Sequence, residues 1–211
     1  MDEVADRIEH TVLGPTTAWG EVAEALDTAL RHGLRACVPP CYVERACEYA
    51  PTVDVTTVVG FPHGQHTTEL KCREAARGWK DGADELDLVA NLGLLRGGDS
   101  EHFETELTEV IAAVPVPVKV IVEAHLLEEW ELRAACEAAE AAGAAFLKTS
   151  TGFSDGGATA ADVEVMSEYL PVKASGGIGS WATASDMFDA GAERIGTSRG
   201  DTIIREYRAE N

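Results

Sequence analysis

Eight times along this chain a short apolar run of strand character gives way to a segment with helical spacing, and this alternation limits the fold most tightly. The runs cover residues 7–13, 34–38, 53–59, 83–89 and 117–123, a run from Ala144 that carries Lys148, one after Leu170 that carries Lys173, and 193–196. Between them, apolar positions recur at three- and four-residue intervals, as in Val22, Ala25, Leu26, Ala29 and Leu30, where Thr17 reads as the helix cap and Gly33 as its stop. Further helical stretches are expected over 42–50, 68–80, 100–114, 126–142, from 159 or 160 onward, and over 181–190, with a last helix opened by Ser198. Residues 91–99 read as a glycine-rich loop. Three helix-to-strand joints share one pattern: Asp81-Gly82-Ala83-Asp84, Ala142-Gly143-Ala144-Ala145 and Ala190-Gly191-Ala192-Glu193. Glycine there stops a helix in the left-handed conformation, and a small residue turns the chain straight into the sheet.

Eight βα units without a linker or a shift in composition predict one domain over residues 1–211, a (β/α)8 TIM barrel. The competing architecture is an open, doubly wound sheet. It is disfavoured because no G-x-G-x-x-G follows the first strand, and because eight units suit closure.

Charge narrows the functional classes. The chain has 37 acidic and 17 basic residues, a net charge of −20, which repels nucleic acid and anionic membranes. Its cations are twelve arginines and only five lysines, and an acidic, lysine-poor surface over an ordinary core fits a cytoplasm of high salt, where self-repulsion is screened. The acidic start Met1-Asp2-Glu3 lacks a signal-peptide pattern, and no apolar run is long enough to span a bilayer. Five cysteines with no C-x-x-C pair suit reduced thiols, so a cytoplasmic protein is expected.

Three of the five lysines, Lys119, Lys148 and Lys173, occupy strand-like runs instead of solvated helix faces. Lysine is seldom buried without a partner or a purpose. In a barrel the carboxyl ends of the strands meet at one mouth, and those ends carry Glu9, His10, Cys37, Asp87, Lys119, Glu123, Lys148, Lys173 and Gly196. Two ammonium groups on neighbouring strands disfavour each other's protonation, so at least one is expected to titrate low. A neutral amine attacks a carbonyl to form a Schiff base, and a carboxylate such as Asp87 can relay the protons. A salt bridge to a mouth carboxylate is the plainer alternative for either lysine alone.

The glycines after the seventh and eighth runs, Gly176-Gly177 and Gly196 with Ser198, fall where barrels build a phosphate cradle from backbone N–H groups. Simple chain reversal is the alternative use for each glycine taken singly.

At these residues a resemblance becomes specific. The run Phe146-Leu147-Lys148-Thr149-Ser150-Thr151-Gly152-Phe153, with Gly156-Gly157-Ala158-Thr159 downstream, resembles the signature of deoxyribose-phosphate aldolases. So does Val172-Lys173-Ala174-Ser175-Gly176-Gly177-Ile178, and the similarity takes in Ile8-Glu9-His10-Thr11, residues 58–62, 83–91 and 194–198. It implies a class I aldolase that reversibly cleaves 2-deoxy-D-ribose 5-phosphate to glyceraldehyde 3-phosphate and acetaldehyde, needing no cofactor and no metal. By the same resemblance Lys148 is the Schiff-base lysine, Lys173 the lysine that perturbs it, and Asp87 the proton relay. Thr151, Gly152, Gly176, Gly177, Gly196 and Ser198 fall at substrate- and phosphate-binding positions. The chain departs from the family pattern at Glu9, commonly Asp, and at Gly14, Gly179 and Arg199, where Lys, Arg and Ser are usual; phosphate affinity and salt dependence are the properties those departures touch.

Other readings fit less. His63-x-x-His66 has no carboxylate beside it and reads as a loop pair, not a metal site. His10 reads as a hydrogen-bonded core or mouth residue, and Cys37 as buried filler. A barrel isomerase with Asp87 as base, or a catalytically silent sugar-phosphate binder, would use the same phosphate loops. A homo-oligomer is compatible with a barrel of this size, but no helix pattern marks an interface.

Overall fold

Eight parallel strands close into a barrel in sequence order, β1 to β8, and β8 pairs back onto β1. The structure is a computed structural model that describes residues 4–210; the acidic Met1, Asp2 and Glu3 lie outside them. The strands are β1 Ile8–Thr11, β2 Arg35–Val38, β3 Val55–Val59, β4 Glu85–Val89, β5 Val118–Ile121, β6 Phe146–Lys148, β7 Val172–Ser175 and β8 Ala192–Thr197. Around them run α1 Trp19–His32, α2 Val43–Tyr49, α3 Thr68–Lys80, α4 Leu92–Arg96, α5 Ser100–Ala112, α6 Glu129–Ala141, α7 Ala160–Ser167, α8 Trp181–Asp189 and α9 Gly200–Glu210. This is the (β/α)8 architecture that the alternation predicts.

Each helix lays its apolar stripe on the outer face of the barrel. In α1, Val22, Ala25, Leu26 and Ala29 are buried at helical spacing, and Gly33 ends the helix with φ 75°. The cap is not Thr17: the helix starts one residue later, with the Glu21 carboxylate accepting from the Ala18 N–H at 2.9 Å. A charged acceptor in the first turn serves the open amides and the helix dipole together. The three shared joints behave as expected, with Gly82, Gly143 and Gly191 all at positive φ.

Two expectations need correction. Residues 91–99 are not simply a loop, because Leu92–Arg96 forms the short helix α4, started by the Asn91 side chain accepting from the Gly93 N–H at 3.2 Å and held by buried Leu95. The glycines here hide a local cap and one apolar anchor. Ser198 does not open the last helix, which begins at Gly200; Ser198 stays in the turn after β8.

Side chains on a strand alternate between the outer, helix-covered face and the barrel interior. Outward residues such as Leu86, Leu88, Val120, Leu147, Ala174 and Ile195 make the apolar layer under the helices. The inward residues stack in tiers of four drawn from alternate strands, the arrangement expected of such barrels. Here the tiers are mostly polar. Arg35, Glu85, Phe146 and Arg194 come from the even strands; Glu9, Thr56, Lys119 and Lys173 from the odd strands; Cys37, Asp87, Lys148 and Gly196 from the even strands again, nearer the mouth. Ion pairs within the lowest tier, Arg35 to Glu85 at 3.4 Å and Arg194 to Glu85 at 2.5 Å, fit this stacking.

Candidate active site

The barrel interior balances buried charge against buried charge. Lys148, Lys173 and Lys119 all reach Asp87: the first two place Nζ 2.7 Å from Oδ2, and Lys119 lies 3.1 Å from Oδ1. Lys173 also pairs with Glu9 Oε1, while Lys119 contacts Glu85 at 2.6 Å and Glu9 at 3.7 Å. Thr56 donates to Glu9 Oε2 at 3.1 Å. A lone ion buried here would cost several kcal/mol, so each ammonium requires a carboxylate within reach.

The same contacts set the protonation states. Burial works to raise the Asp87 pKa, but Lys119, Lys148 and Lys173 outweigh it and hold the carboxyl well below the usual carboxylate range. Burial works to lower the pKa of Lys173, and Asp87 with Glu9 reverse that, so it is held above the ordinary lysine value. Lys119 is held up in the same way. Lys173, expected as the member that perturbs its neighbour, is not itself driven low: the carboxylates between the two amines stabilise its charge. The structure makes Lys173 a lasting cation beside Lys148.

The two lysines differ in access. Register places them side by side on β6 and β7, yet Lys148 is 3% exposed and lines the mouth cavity, whereas Lys173 is 0% exposed and lies behind it. Gly196 makes room for that arrangement, since a Cβ on it would stand 2.8 Å from Lys173 Cε.

The cavity has a volume of about 430 Å³, the size of pocket that encloses a small ligand. It gathers the six residues expected around a phosphorylated substrate: Thr151, Gly152, Gly176, Gly177, Gly196 and Ser198. Gly176 and Gly177 both have positive φ, 93° and 79°, and a Cβ on Gly176 would come within 3.1 Å of Ser150 Cβ. The start of α9 offers less than expected, because the Arg199 N–H donates to Thr197 Oγ1 at 2.9 Å and the Gly200 N–H to His10 Nδ1 at 3.2 Å. His10 thus serves a helix start outside the barrel lumen, and burial lowers its pKa.

Several participants escaped sequence reasoning. Thr11, Ser175 and Thr197 also line the cavity, as does Arg199, which the sequence marked only as a departure from the family pattern, and Glu85 with Arg194 supports the lysine cluster from below. Period-two spacing was the available signal, since Glu9-x-Thr11, Glu85-x-Asp87 and Lys173-x-Ser175 each put two polar residues on one strand face. Glu123, expected among the reactive strand ends, instead props the loop after β6. At φ 47° it accepts from Thr151 N at 3.1 Å and from Thr151 Oγ1 at 2.7 Å.

Among the described residues one group could supply metal ligands, Glu9, Cys37 and Asp87, with ligand atoms within 4.8 Å of one another. Its carboxylates already face ammonium groups, and burial, then Glu9, pushes the Cys37 thiol up to about 12. A cation would have to displace a lysine to bind. His63 and His66 join no such group; His66 faces Glu74 at 3.9 Å.

No protein-family model matches the chain. It is 59% identical over 210 residues to a deoxyribose-phosphate aldolase of Haloarcula marismortui, covering 100% of this chain and 90% of that protein. A deoxyribose-phosphate aldolase of Natronomonas pharaonis is 62% identical over 203 residues, covering 96% and 94%. Among solved structures, an aldolase designated QR15 superposes with a TM-score of 0.95 at 38% identity, covering 100% and 98%. A deoxyribose phosphate aldolase from Aeropyrum pernix, described as a unique tetramer, gives 0.89 at 31%, covering 99% and 92%.

Proposed function

The chain belongs to the deoxyribose-phosphate aldolase family, and on that premise we propose that Lys148 is the amine that carries its chemistry. The reaction is the reversible cleavage of 2-deoxy-D-ribose 5-phosphate to D-glyceraldehyde 3-phosphate and acetaldehyde. The observation that carries the assignment is the difference in access: of the two lysines sharing Asp87 Oδ2, Lys148 alone lines the cavity.

Lys148 Nζ adds to the C1 aldehyde of the open-chain sugar, and loss of water leaves a protonated imine. Deprotonation of the C3 hydroxyl then breaks the C2–C3 bond. Its electron pair flows into the imine to give an enamine, and glyceraldehyde 3-phosphate departs. Protonation at C2 and hydrolysis release acetaldehyde and restore the amine. Asp87 Oδ2, 2.7 Å from Lys148 Nζ, is the relay for the proton that the amine must shed. Lys173 supplies a fixed positive charge that works against protonation of its neighbour. Thr151, Gly152, Gly176, Gly177, Gly196 and Ser198 bind the phosphorylated end.

The isomerase alternative asks Asp87 to be the principal base. Asp87 is fully buried and does not line the cavity, whereas Lys148 does, so the group that meets the substrate is the amine.

Borohydride reduction in the presence of 2-deoxyribose 5-phosphate tests the assignment. Mass spectrometry should locate a covalent adduct on Lys148, absent from Lys148→Ala. An unchanged intact mass in the wild type would sink the Schiff-base mechanism.

The remaining features are proposed more simply. One barrel domain over residues 1–211 carries the whole activity in the cytoplasm, in keeping with five free cysteines and, among the described residues, no helix long and apolar enough to cross a membrane. A homo-oligomer is supported by the tetrameric Aeropyrum pernix relative, and light scattering would measure it.

A further inference from the structure

One cation at the cavity rim has no use in the chemistry above. Arg199 follows β8, is exposed, lines the cavity, and carries no hydrogen bond or ion pair from its guanidinium among the described residues. Two carboxylates of the helix that follows, α9, are committed elsewhere. Asp201 pairs with Arg205 at 2.9 Å, and Glu206 accepts from the Trp181 N–H at 2.7 Å. Among the described residues, no aspartate or glutamate lines this cavity, although the chain carries a net charge of −20.

The backbone on both sides is shaped around that side chain. Thr197 is buried, and its hydroxyl donates to the Ile178 carbonyl at 2.6 Å while accepting the Arg199 N–H at 2.9 Å. This one hydroxyl ties the loop after β7 to the residue from which the arginine departs. The arginine stem then lies across Gly179, where an added Cβ would stand 3.1 Å from Cδ and 3.2 Å from Nη1. Gly179 is itself part of the cavity wall, beside Gly177. An absent side chain on one loop thus seats a cation supplied by the next.

We propose that Arg199 is a specificity-determining residue of this chain, and that its guanidinium, seated over Gly179, binds the phosphate of the sugar; this rests on the reading of the cavity as a sugar-phosphate site entered by Lys148. The planar fork of an arginine matches two phosphate oxygens at once, which a lysine does not. Such contact bonds matter most in strong salt, where the Debye length shrinks to about 3 Å at 1 M and long-range attraction is lost. Arg199 therefore gives phosphate recognition that survives ionic strength.

Steady-state kinetics in molar KCl on 2-deoxyribose 5-phosphate and on unphosphorylated 2-deoxyribose test this. Arg199→Gln should lower the preference for the phosphorylated sugar, taken as the ratio of kcat/KM values, by about tenfold or more, chiefly through KM. Inorganic phosphate should inhibit Arg199→Gln more weakly than wild type. Arg199→Lys should recover part of the preference, and Gly179→Ala should lose part of it by pushing the guanidinium off its seat. A preference in Arg199→Gln within about twofold of wild type, with borohydride still trapping the phosphorylated sugar on Lys148, overturns the role of Arg199 and leaves the aldolase reading standing. A wild-type enzyme that forms no adduct on Lys148 overturns both.

Discussion

Replacing Lys173 by methionine asks whether the second ammonium governs the first. Both Nζ atoms lie 2.7 Å from the same oxygen of Asp87, so they stand no farther apart than twice that distance. Lys173 is fully buried; burial pulls its pKa down, but Asp87 and Glu9 more than offset this and keep it cationic throughout the working range. At the largest separation this geometry permits, with an effective dielectric of about 20, two unit charges repel by about 3 kcal/mol. Removing one relieves that repulsion in favour of the charged amine, an effect of about two units on the pH axis. The acid limb of the pH–rate profile should therefore move up by about two units, with activity below it falling roughly a hundredfold. Glu9→Gln removes an anion from the same cluster and should move the limb the other way. Initial cleavage rates of 2-deoxyribose 5-phosphate across the pH range measure both shifts, with circular dichroism melting of each variant as the folding control. A folded Lys173→Met enzyme whose acid limb stays within about half a unit of wild type would refute the reasoning.

Three further outcomes are expected. Burial works to raise the Glu85 pKa, but Lys119 and Arg194 bring it to about 2, below the ordinary 4.5; its stabilisation is thus present above pH 4.5 and lost as pH falls toward 2, so the denaturant midpoint should drop over that window and drop less in Glu85→Gln. Away from the site, Lys71 is buried between α3 and α5 with Glu106 at 2.7 Å, so Lys71→Met should cost about 3–5 kcal/mol in urea unfolding. Lys71→Met with Glu106→Gln should recover much of that loss, because glutamine still accepts from the Asn91 N–H; a single-variant cost below about 1 kcal/mol contradicts the pairing. The net charge of −20 predicts a melting temperature that climbs with KCl up to the molar range, and a flat or falling curve counts against a salt-adapted surface.

Buried polar tiers explain the strength of those couplings. Barrels of this kind commonly fill their interior with branched apolar side chains. This one sets Glu9, Glu85 and Asp87 against Lys119, Lys148 and Lys173, with Arg194 and Arg35 at the lower end. Truncating any member leaves its partner charged and dry. Folding thereby constrains the same groups that the chemistry uses.

The amino-acid sequence by itself determined the order of the units, because the change between strand and helical periodicity is local and repeats down the chain. It also placed Lys148, Lys173 and Asp87 on strands and Gly176 with Gly177 on the loop after β7, whereas Gly196, expected to follow the eighth run, lies within β8. Local signals misled where a competing group lay within about a helical turn: Glu21 took the cap at Ala18 from Thr17, and Asn91 with Leu95 turned a glycine-rich stretch into a helix. Only the tertiary structure decided which charges meet. Glu9 and Lys173 are 164 residues apart yet pair directly. Alternation tells which face a side chain takes, but closure and stagger set its height in the barrel. That height left Lys148 at the cavity and Lys173 sealed behind it, which no spacing along the chain expresses.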